Sequence, residues 1–442
     1  MVSDMIGQTS KNNVLIDVPE KWEVVKIEDI FKAIDGDRGK NYPNEKDFLS
    51  NGYCLFLDTK NVTKTGFSFK TKKFISEEKE NTLRNGKLER NDIVMTSRGT
   101  IGNISFFDET VPFENIRINS AMLILRAKVD DIIYKYWMQL LRGKVIEEFI
   151  RRAKVGSAQP HITKKSLNSL KVAIPSRKEE QTKIAAILSS VDNAIEKTEA
   201  IIEQTEKVKK GLMQQLLTKG IGHTRFKKTE IGEIPVEWEV QTLEEVSLGK
   251  GEYGIGAKAT EYRANQPRYL RITDIDDRGK LIPSDKKGIA EENYERYLLE
   301  YGDIVFARTG NTTGKSYLYD DKDGSLVFAG FLIRFKLNKE IVNPMFISSI
   351  VNTKYYWNWV KVMSTRSGQP GINGNEYSSF MVPVPSLLEQ DKIASMLSIF
   401  DEKIEKETRF YQKLNTLKKG LMQVLLTGKV RVKVDENEVV ST

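Results

Sequence analysis

Between Ile184 and Leu212 the apolar positions recur at alternating steps of three and four: Ile184, Ile187, Val191, Ala194, Ile201, Val208 and Leu212, with Thr198 and Thr205 filling two steps. That spacing keeps one face of an α-helix apolar and is the signature of a coiled-coil seam. Leu188, Ile195 and Ile202 widen the stripe. A second stripe, Leu397, Phe400, Ile404, Tyr411, Leu414 and Leu421, is interrupted by Glu407 and Lys418. Both stripes begin alike. Pro175-Ser176 precedes Glu179 and Pro385-Ser386 precedes Glu389, the Ser-x-x-Glu spacing of a capping box. From Ser176 to Leu217, a rise of about 1.5 Å per residue gives a rod of roughly 60 Å. A second helix of similar length can carry the chain back, so antiparallel pairing and neighbouring chain ends are expected.

The stretches before each helix, about 20–174 and 236–384, mix short β-rich runs such as YCLFLDTKNV and RYLRITDI with helical segments such as DIIYKYWMQLLRGKVIEEFI. They read as globular α+β domains. The expected organisation is a first domain over 1–175, a helix over 176–218, a second domain over 219–385 with its linker at 219–235, a helix over 386–427 and a tail over 428–442.

The halves are copies of one another. Gln159-Pro160 returns as Gln369-Pro370, AIPSRKEEQ as VPVPSLLEQ, and KKGLMQQLLT as KKGLMQVLLT. The openings VPEKWEVVKIEDI and IPVEWEVQTLEEV align Trp22 with Trp238. Between them, NDIVMTSRGTIGNISFF matches GDIVFARTGNTTGKSYLY, an apolar strand that runs into a Gly-rich turn bearing an arginine. Order is kept throughout, and the divergence is concentrated in the domains.

With 442 residues, 39% apolar and 29% charged, the chain is long enough for several cores and is not of disordered composition. Its net charge of +8 favours a polyanionic partner without naming one. The first residues, MVSDMIGQTSKNN, lack the apolar run of a signal peptide and no stretch reaches membrane-span length, so a cytoplasmic protein is expected. Cys54 is the only cysteine and there are two histidines, too few for a thiolate–imidazole zinc site.

Two motifs resemble catalytic signatures and fail on spacing. TGNTTGKS at 309–316 has three residues between Gly310 and Gly314 where a phosphate-binding loop needs four, and SRGTIGNIS in the first copy lacks the lysine. Asn343-Pro344-Met345-Phe346 is similar to the Asn-Pro-Pro-aromatic motif of adenine methyltransferases but lacks its second proline and any accompanying cofactor loop. His161 and His223 fit no metal helix or catalytic triad, and no carboxylate cluster can be assigned as a nuclease site. A chain without a catalytic, cofactor or metal site of its own is expected.

The two Pro-x-x-Trp openings, the two Gln-Pro segments before an Ile-Pro-Ser or Val-Pro-Ser helix start, and the endings VKKGLMQQLLTKG and LKKGLMQ together resemble the specificity subunits of type I restriction-modification systems, over nearly the whole chain. The resemblance implies that each domain is a target recognition domain reading one half of an asymmetric, bipartite site in double-stranded DNA. It implies helices that space the domains with pseudo-twofold symmetry and dock two methyltransferase subunits, with restriction-translocation subunits joining them. S-adenosylmethionine, ATP and Mg would then bind those partners. The competing reading is a standalone DNA-binding or architectural protein that self-associates through its helices.

Base-edge readout needs donors at a protruding turn, while phosphate contacts set register. Arg98 and Arg308, which each follow a DIV strand, are the leading candidates, with Ser97, Thr100, Thr309, Asn311, Thr312 and Lys315 beside them. Ser157 with Gln159, and Arg366 with Ser367 and Gln369, form a second matched pair of polar loops. Lys60, Arg117 and Arg271 lie next to predicted strands and complete the candidate set. Trp22 and Trp238, at matched positions, are expected to anchor cores.

Overall fold

The computed structural model describes residues 18–154, 161–365 and 370–434. Contacts divide the chain into two compact units, one of residues 1–198 with 410–442 and one of 199–409. Each unit therefore takes one globular domain, the start of one long helix and the end of the other.

In the first unit, the run Asp92–Thr96 is buried at every position, as a strand covered on both faces must be. It lies inside an antiparallel sheet in the order Phe31–Asp35, Met122–Ala127, Asp92–Thr96, Ile104–Phe107. A smaller sheet pairs Cys54–Leu57 in parallel with Ile116–Ile118 and antiparallel with Phe74–Ile75. Helices Tyr134–Leu141 and Lys144–Lys154 follow. Trp22–Lys26 pairs antiparallel with Lys171–Pro175, which delivers the chain into the long helix Lys178–Lys219.

The second unit repeats this plan. Its four-stranded sheet runs Glu252–Tyr253, Leu332–Lys336, Asp303–Ala307, Ser316–Leu318. Arg268–Leu270 and Leu326–Phe328 form the parallel pair. Helices Pro344–Ile350 and Lys354–Ser364 follow, and Glu239–Thr242 pairs with Met381–Val384 before the second long helix, Leu387–Leu425. The domains are α+β and duplicated in topology as well as in sequence. Among the described residues no helix is long and apolar enough to cross a membrane.

The long helices run antiparallel within each unit. In the first, Ile184, Ala185 and Leu188 share a core with Leu425 and Leu426, and Asp192 Oδ1 meets Lys418 Nζ at 2.5 Å. In the second, Leu216 and Leu217 share a core with Ile393, Ala394 and Leu397, and Lys209 Nζ meets Asp401 Oδ1 at 2.5 Å. Trp22 and Trp238 are buried, as expected of anchors.

The seam keeps most of the expected positions: Ile184, Ile187, Val191, Ala194, Thr198, Thr205 and Leu212 are buried or half-buried. It departs from the spacing at Ile201 and Val208, which are exposed while the neighbouring Ile202 and Lys209 are half-buried. The two threonines are accommodated because each hydroxyl is satisfied locally: Thr198 Oγ1 donates to Ala194 O at 2.7 Å and Thr205 Oγ1 to Ile201 O at 2.6 Å.

The capping boxes are not formed as expected either. Ser386 Oγ accepts from Glu389 N at 3.4 Å, but the Glu389 carboxylate turns to Trp238 and His223. In the first copy the helix starts at Lys178, and Glu179 pairs instead with Arg177 at 3.5 Å.

Candidate nucleic-acid interface

Each domain presents the Gly-rich turn at the end of its central buried strand. Thr96 and Ala307 are the last strand residues, and the chain then turns through Gly99 at φ +68° and Gly310 at φ +71°. The second glycines, Gly102 and Gly314, sit at φ +90° and +91°, and each faces a helix. A Cβ on Gly102 would lie 2.2 Å from Ile150 Cδ1, and one on Gly314 would lie 2.6 Å from Val360 Cγ1. The glycine spacing that resembles a phosphate-binding loop is thus explained by a tight turn with a helix packed on it. In the second domain two buried tyrosines hold the turn from beneath. Tyr356 Oη donates to Gly314 O at 2.7 Å and Tyr377 Oη to Ala307 O at 2.9 Å. Burial pushes both hydroxyls well above the usual tyrosine range, so they remain donors.

The backbone also fixes which positions correspond. Ser97 N donates to Ala121 O at 2.8 Å and Ser97 O accepts from Ile162 N at 3.0 Å; Arg308 N donates to Phe331 O at 3.0 Å and Arg308 O accepts from Ile372 N at 2.9 Å. Ser97 and Arg308 are therefore equivalent, and Arg98 corresponds to Thr309. The two arginines that look matched in sequence are one residue out of register. Adjacent positions on an extended chain project to opposite sides, so the arginines leave their turns differently.

Arg98 and Thr100 are exposed, whereas Ser97 is buried. Asn103 Nδ2 donates to Val62 O at 2.9 Å, joining this turn to the loop that carries exposed Lys60. In the second domain the same link is made by Lys315, whose Nζ donates to Ile275 O at 3.3 Å and pairs with Asp277 at 2.7 Å. Asn311 is exposed and Thr312 half-exposed on this turn. Gly310 N donates to Pro370 O at 3.1 Å, and Thr309 bridges to Gly371. The structure thus brings the turn beside the end of the Gln-Pro loop. Ser157, Gln159, Arg366, Ser367 and Gln369 themselves lie outside the described residues.

Arg117 is a correction. Arg117 is buried, pairs with Glu80 at 2.9 Å, and donates to Asn85 O at 2.8 Å and Leu83 O at 3.2 Å. A guanidinium so enclosed reaches no DNA; it neutralises a buried carboxylate. Arg271 is held by Asp274 at 2.7 Å and Asp285 at 3.1 Å, in a turn whose shape it fixes. Sequence reading finds a basic residue near a strand but not the carboxylate that the fold brings to it.

Three other residues were missed. Tyr253 and Phe331 are exposed, and the Arg308 guanidinium lies 4.8 Å from the centre of the Tyr253 ring. In the first domain exposed Arg38 pairs with Asp35 at 3.5 Å and donates to Ser120 O at 3.3 Å. It edges a cleft of about 280 Å³ that also has Asp37, Arg84 and Asn85 in its wall. Burial alone would raise the Asp37 carboxyl, but backbone N–H groups of Gly39 and Arg84, at 2.8 and 2.6 Å, outweigh it and hold the group below the usual range. The only sequence cue was the Asp-Gly-Asp-Arg-Gly turn at 35–39.

A family model described as the type I restriction modification DNA specificity domain matches residues 19–207 and again 235–416. The chain belongs to that family. The MjaVIII type I restriction enzyme specificity subunit of Methanocaldococcus jannaschii is 30% identical over 424 residues, covering 94% of each chain. The EcoKI specificity subunit of Escherichia coli K12 is 22% identical over 446 residues, covering 93% of this chain and 90% of that one. In fold, the type I restriction-modification S subunit from M. genitalium superposes with a TM-score of 0.58 at 17% identity, over 94% of this chain and 98% of that one. The specificity-subunit family thus accounts for both copies, and the two Gly-rich turns occupy the same place in each repeat of this specificity subunit.

Proposed function

We propose that each domain of this specificity subunit reads one half of an asymmetric bipartite site in double-stranded DNA. The long helices space the domains and dock two methyltransferase subunits, with restriction-translocation subunits joining the assembly. One observation carries the reading. The two domains keep the same strand order around the turn, yet at equivalent positions Asp35, Ser97 and Ala121 stand in one and Tyr253, Arg308 and Phe331 in the other. A scaffold held constant under changed side chains suits two different half-sites, because base edges are read by side chains while the backbone sets register.

In this reading the chain is non-catalytic and cytoplasmic, and S-adenosylmethionine, ATP and Mg are held by its partners. A type I R-M system structure concerned with complex assembly and conformational transition has the same fold, with a TM-score of 0.53 at 13% identity over 94% of this chain and 100% of that one, which supports assembly with other subunits. The comparisons support this reading over a standalone architectural protein.

Co-expression with a type I methyltransferase subunit, followed by mapping of methylated adenines, tests it. The expected result is a split motif with two unlike halves. Inserting one heptad within 184–212 should lengthen the gap and leave both halves unchanged. An unsplit motif, or altered half-sites after the insertion, would overturn the reading.

A further inference from the structure

We propose that Tyr253 and Arg308 act as a pair in reading a guanine, with Phe331 contacting a neighbouring thymine methyl; this rests on the half-site reading above. Several arginines in the second unit are already committed. Arg268 pairs with Asp274 at 3.7 Å, Arg271 with Asp274 and Asp285, and Arg334 with Glu252 and Asp303. Arg308 is different. Among the described residues its guanidinium rests on the Tyr253 ring at 4.8 Å and has no carboxylate partner.

The platform beneath it is fixed. Tyr253 Oη accepts from Gly374 N at 2.9 Å, and Tyr253 lies on a strand paired to Ile333, whose own strand pairs on its other side with the strand that Arg308 follows. The Arg308 backbone is anchored on both sides, to Phe331 O and from Ile372 N. Stacking uses the face of a guanidinium and leaves its edge N–H groups free. Such an edge, held in place, matches the O6 and N7 acceptors that guanine presents in the major groove. Phe331 is 58% exposed just before the adjoining strand, an apolar side chain with no core to fill, and thymine C5-methyl is the apolar feature of that groove.

The first domain supplies the contrast. Asp35, Ser97 and Ala121 occupy the equivalent positions, and its available arginines, Arg38 and Arg98, come from other positions. The surrounding frame is kept: Gly36 and Gly254 both approach a backbone carbonyl, with a Cβ 2.1 Å from Asn119 O or 2.3 Å from Ala329 O. The change falls on Asp35, Ser97 and Ala121 against Tyr253, Arg308 and Phe331, and spares the glycine frame.

The test is selection of binding sites from a random duplex library by the full chain co-expressed with a type I methyltransferase subunit. Arg308→Lys keeps the charge and loses the fork. Tyr253→Ala removes the platform, and Tyr253→Phe restores it without the hydroxyl. Arg308→Lys and Tyr253→Ala should each lower the preference for one guanine in one half-site by about tenfold or more, while Tyr253→Phe retains it. Phe331→Ala should relax an adjacent thymine. The other half-site should not change, which also shows the variants are folded. Equal loss over all sequences would make Arg308 a phosphate contact, and an unchanged motif would remove it from the interface; both outcomes overturn the proposal, as does retention of the guanine in Tyr253→Ala. A wild-type motif that is unsplit overturns the two-half reading but leaves the guanine test readable on that motif; no motif at all overturns both.

Discussion

Arg431 and Glu180 lie 251 residues apart in sequence and form a two-pronged ion pair, Nε to Oε1 at 2.8 Å and Nη2 to Oε2 at 2.7 Å. Trp22 Nε1 donates to the same carboxylate at 3.4 Å. In the other unit His223 Nε2 lies 3.0 Å from Glu389 Oε1, and Trp238 Nε1 donates to Glu389 Oε2 at 3.1 Å. Each domain is thus fastened by an opening tryptophan, a carboxylate from the start of one long helix and a nitrogen-bearing side chain, Arg431 or His223, from just past the end of the other. Arg431→Ala would leave nearly buried Glu180 with one long hydrogen bond, at a cost of about 1–3 kcal/mol. Hydrogen exchange should quicken in Trp22–Lys26 and the start of the first long helix, and remain unchanged in peptides of the second unit.

Asp192–Lys418 and Lys209–Asp401 occupy equivalent positions in the two copies, at partly exposed sites. A pair of this exposure contributes roughly 0.2–1 kcal/mol. A double-mutant cycle with Asp192→Asn and Lys418→Met should return a coupling of that size in denaturant unfolding. The coupling should shrink in 1 M salt, because surface pairs are screened.

Gly314→Ala should destabilise the second domain by about 2–4 kcal/mol, since the positive φ and the collision with Val360 add. Gly310→Ala shares the positive φ but meets nothing within 4 Å, so about 1 kcal/mol is expected. Comparing urea midpoints of the two variants checks that the second glycine is required by helix packing.

Arg117→Met should strongly destabilise the first domain, by about 3 kcal/mol, because buried Glu80 loses its enclosed partner and keeps only the exposed Lys87 at 3.3 Å. Paired replacement of Arg117 and Glu80 by apolar residues should recover much of that loss. Selective loss of DNA binding at full stability would contradict the structural assignment.

Cys54 is fully buried, and burial, reinforced by the nearby Glu80 charge, pushes its thiol up to about 12. Its reaction with a thiol reagent at neutral pH should wait for opening of the first domain. Labelling should therefore accelerate in Arg117→Met and stay slow in Gly310→Ala, which lies in the other unit.

Local and repeated features were legible in the chain. Periodicity determined the two long helices, the DIV runs determined the central strands, and repetition determined that one α+β plan occurs twice. These follow from side-chain patterning that recurs every two or every 3.6 residues and needs no partner to be seen. Tertiary structure decided what depends on long-range neighbours. It turned Ile201 and Val208 out of the long-helix seam, enclosed Arg117 by supplying Glu80, and paired Arg271 with Asp274 and Asp285. It also brought Tyr253, 55 residues away in sequence, beneath Arg308. A charged side chain carries no mark of its partner, and only the fold settles whether it is neutralised inside or left to meet a ligand.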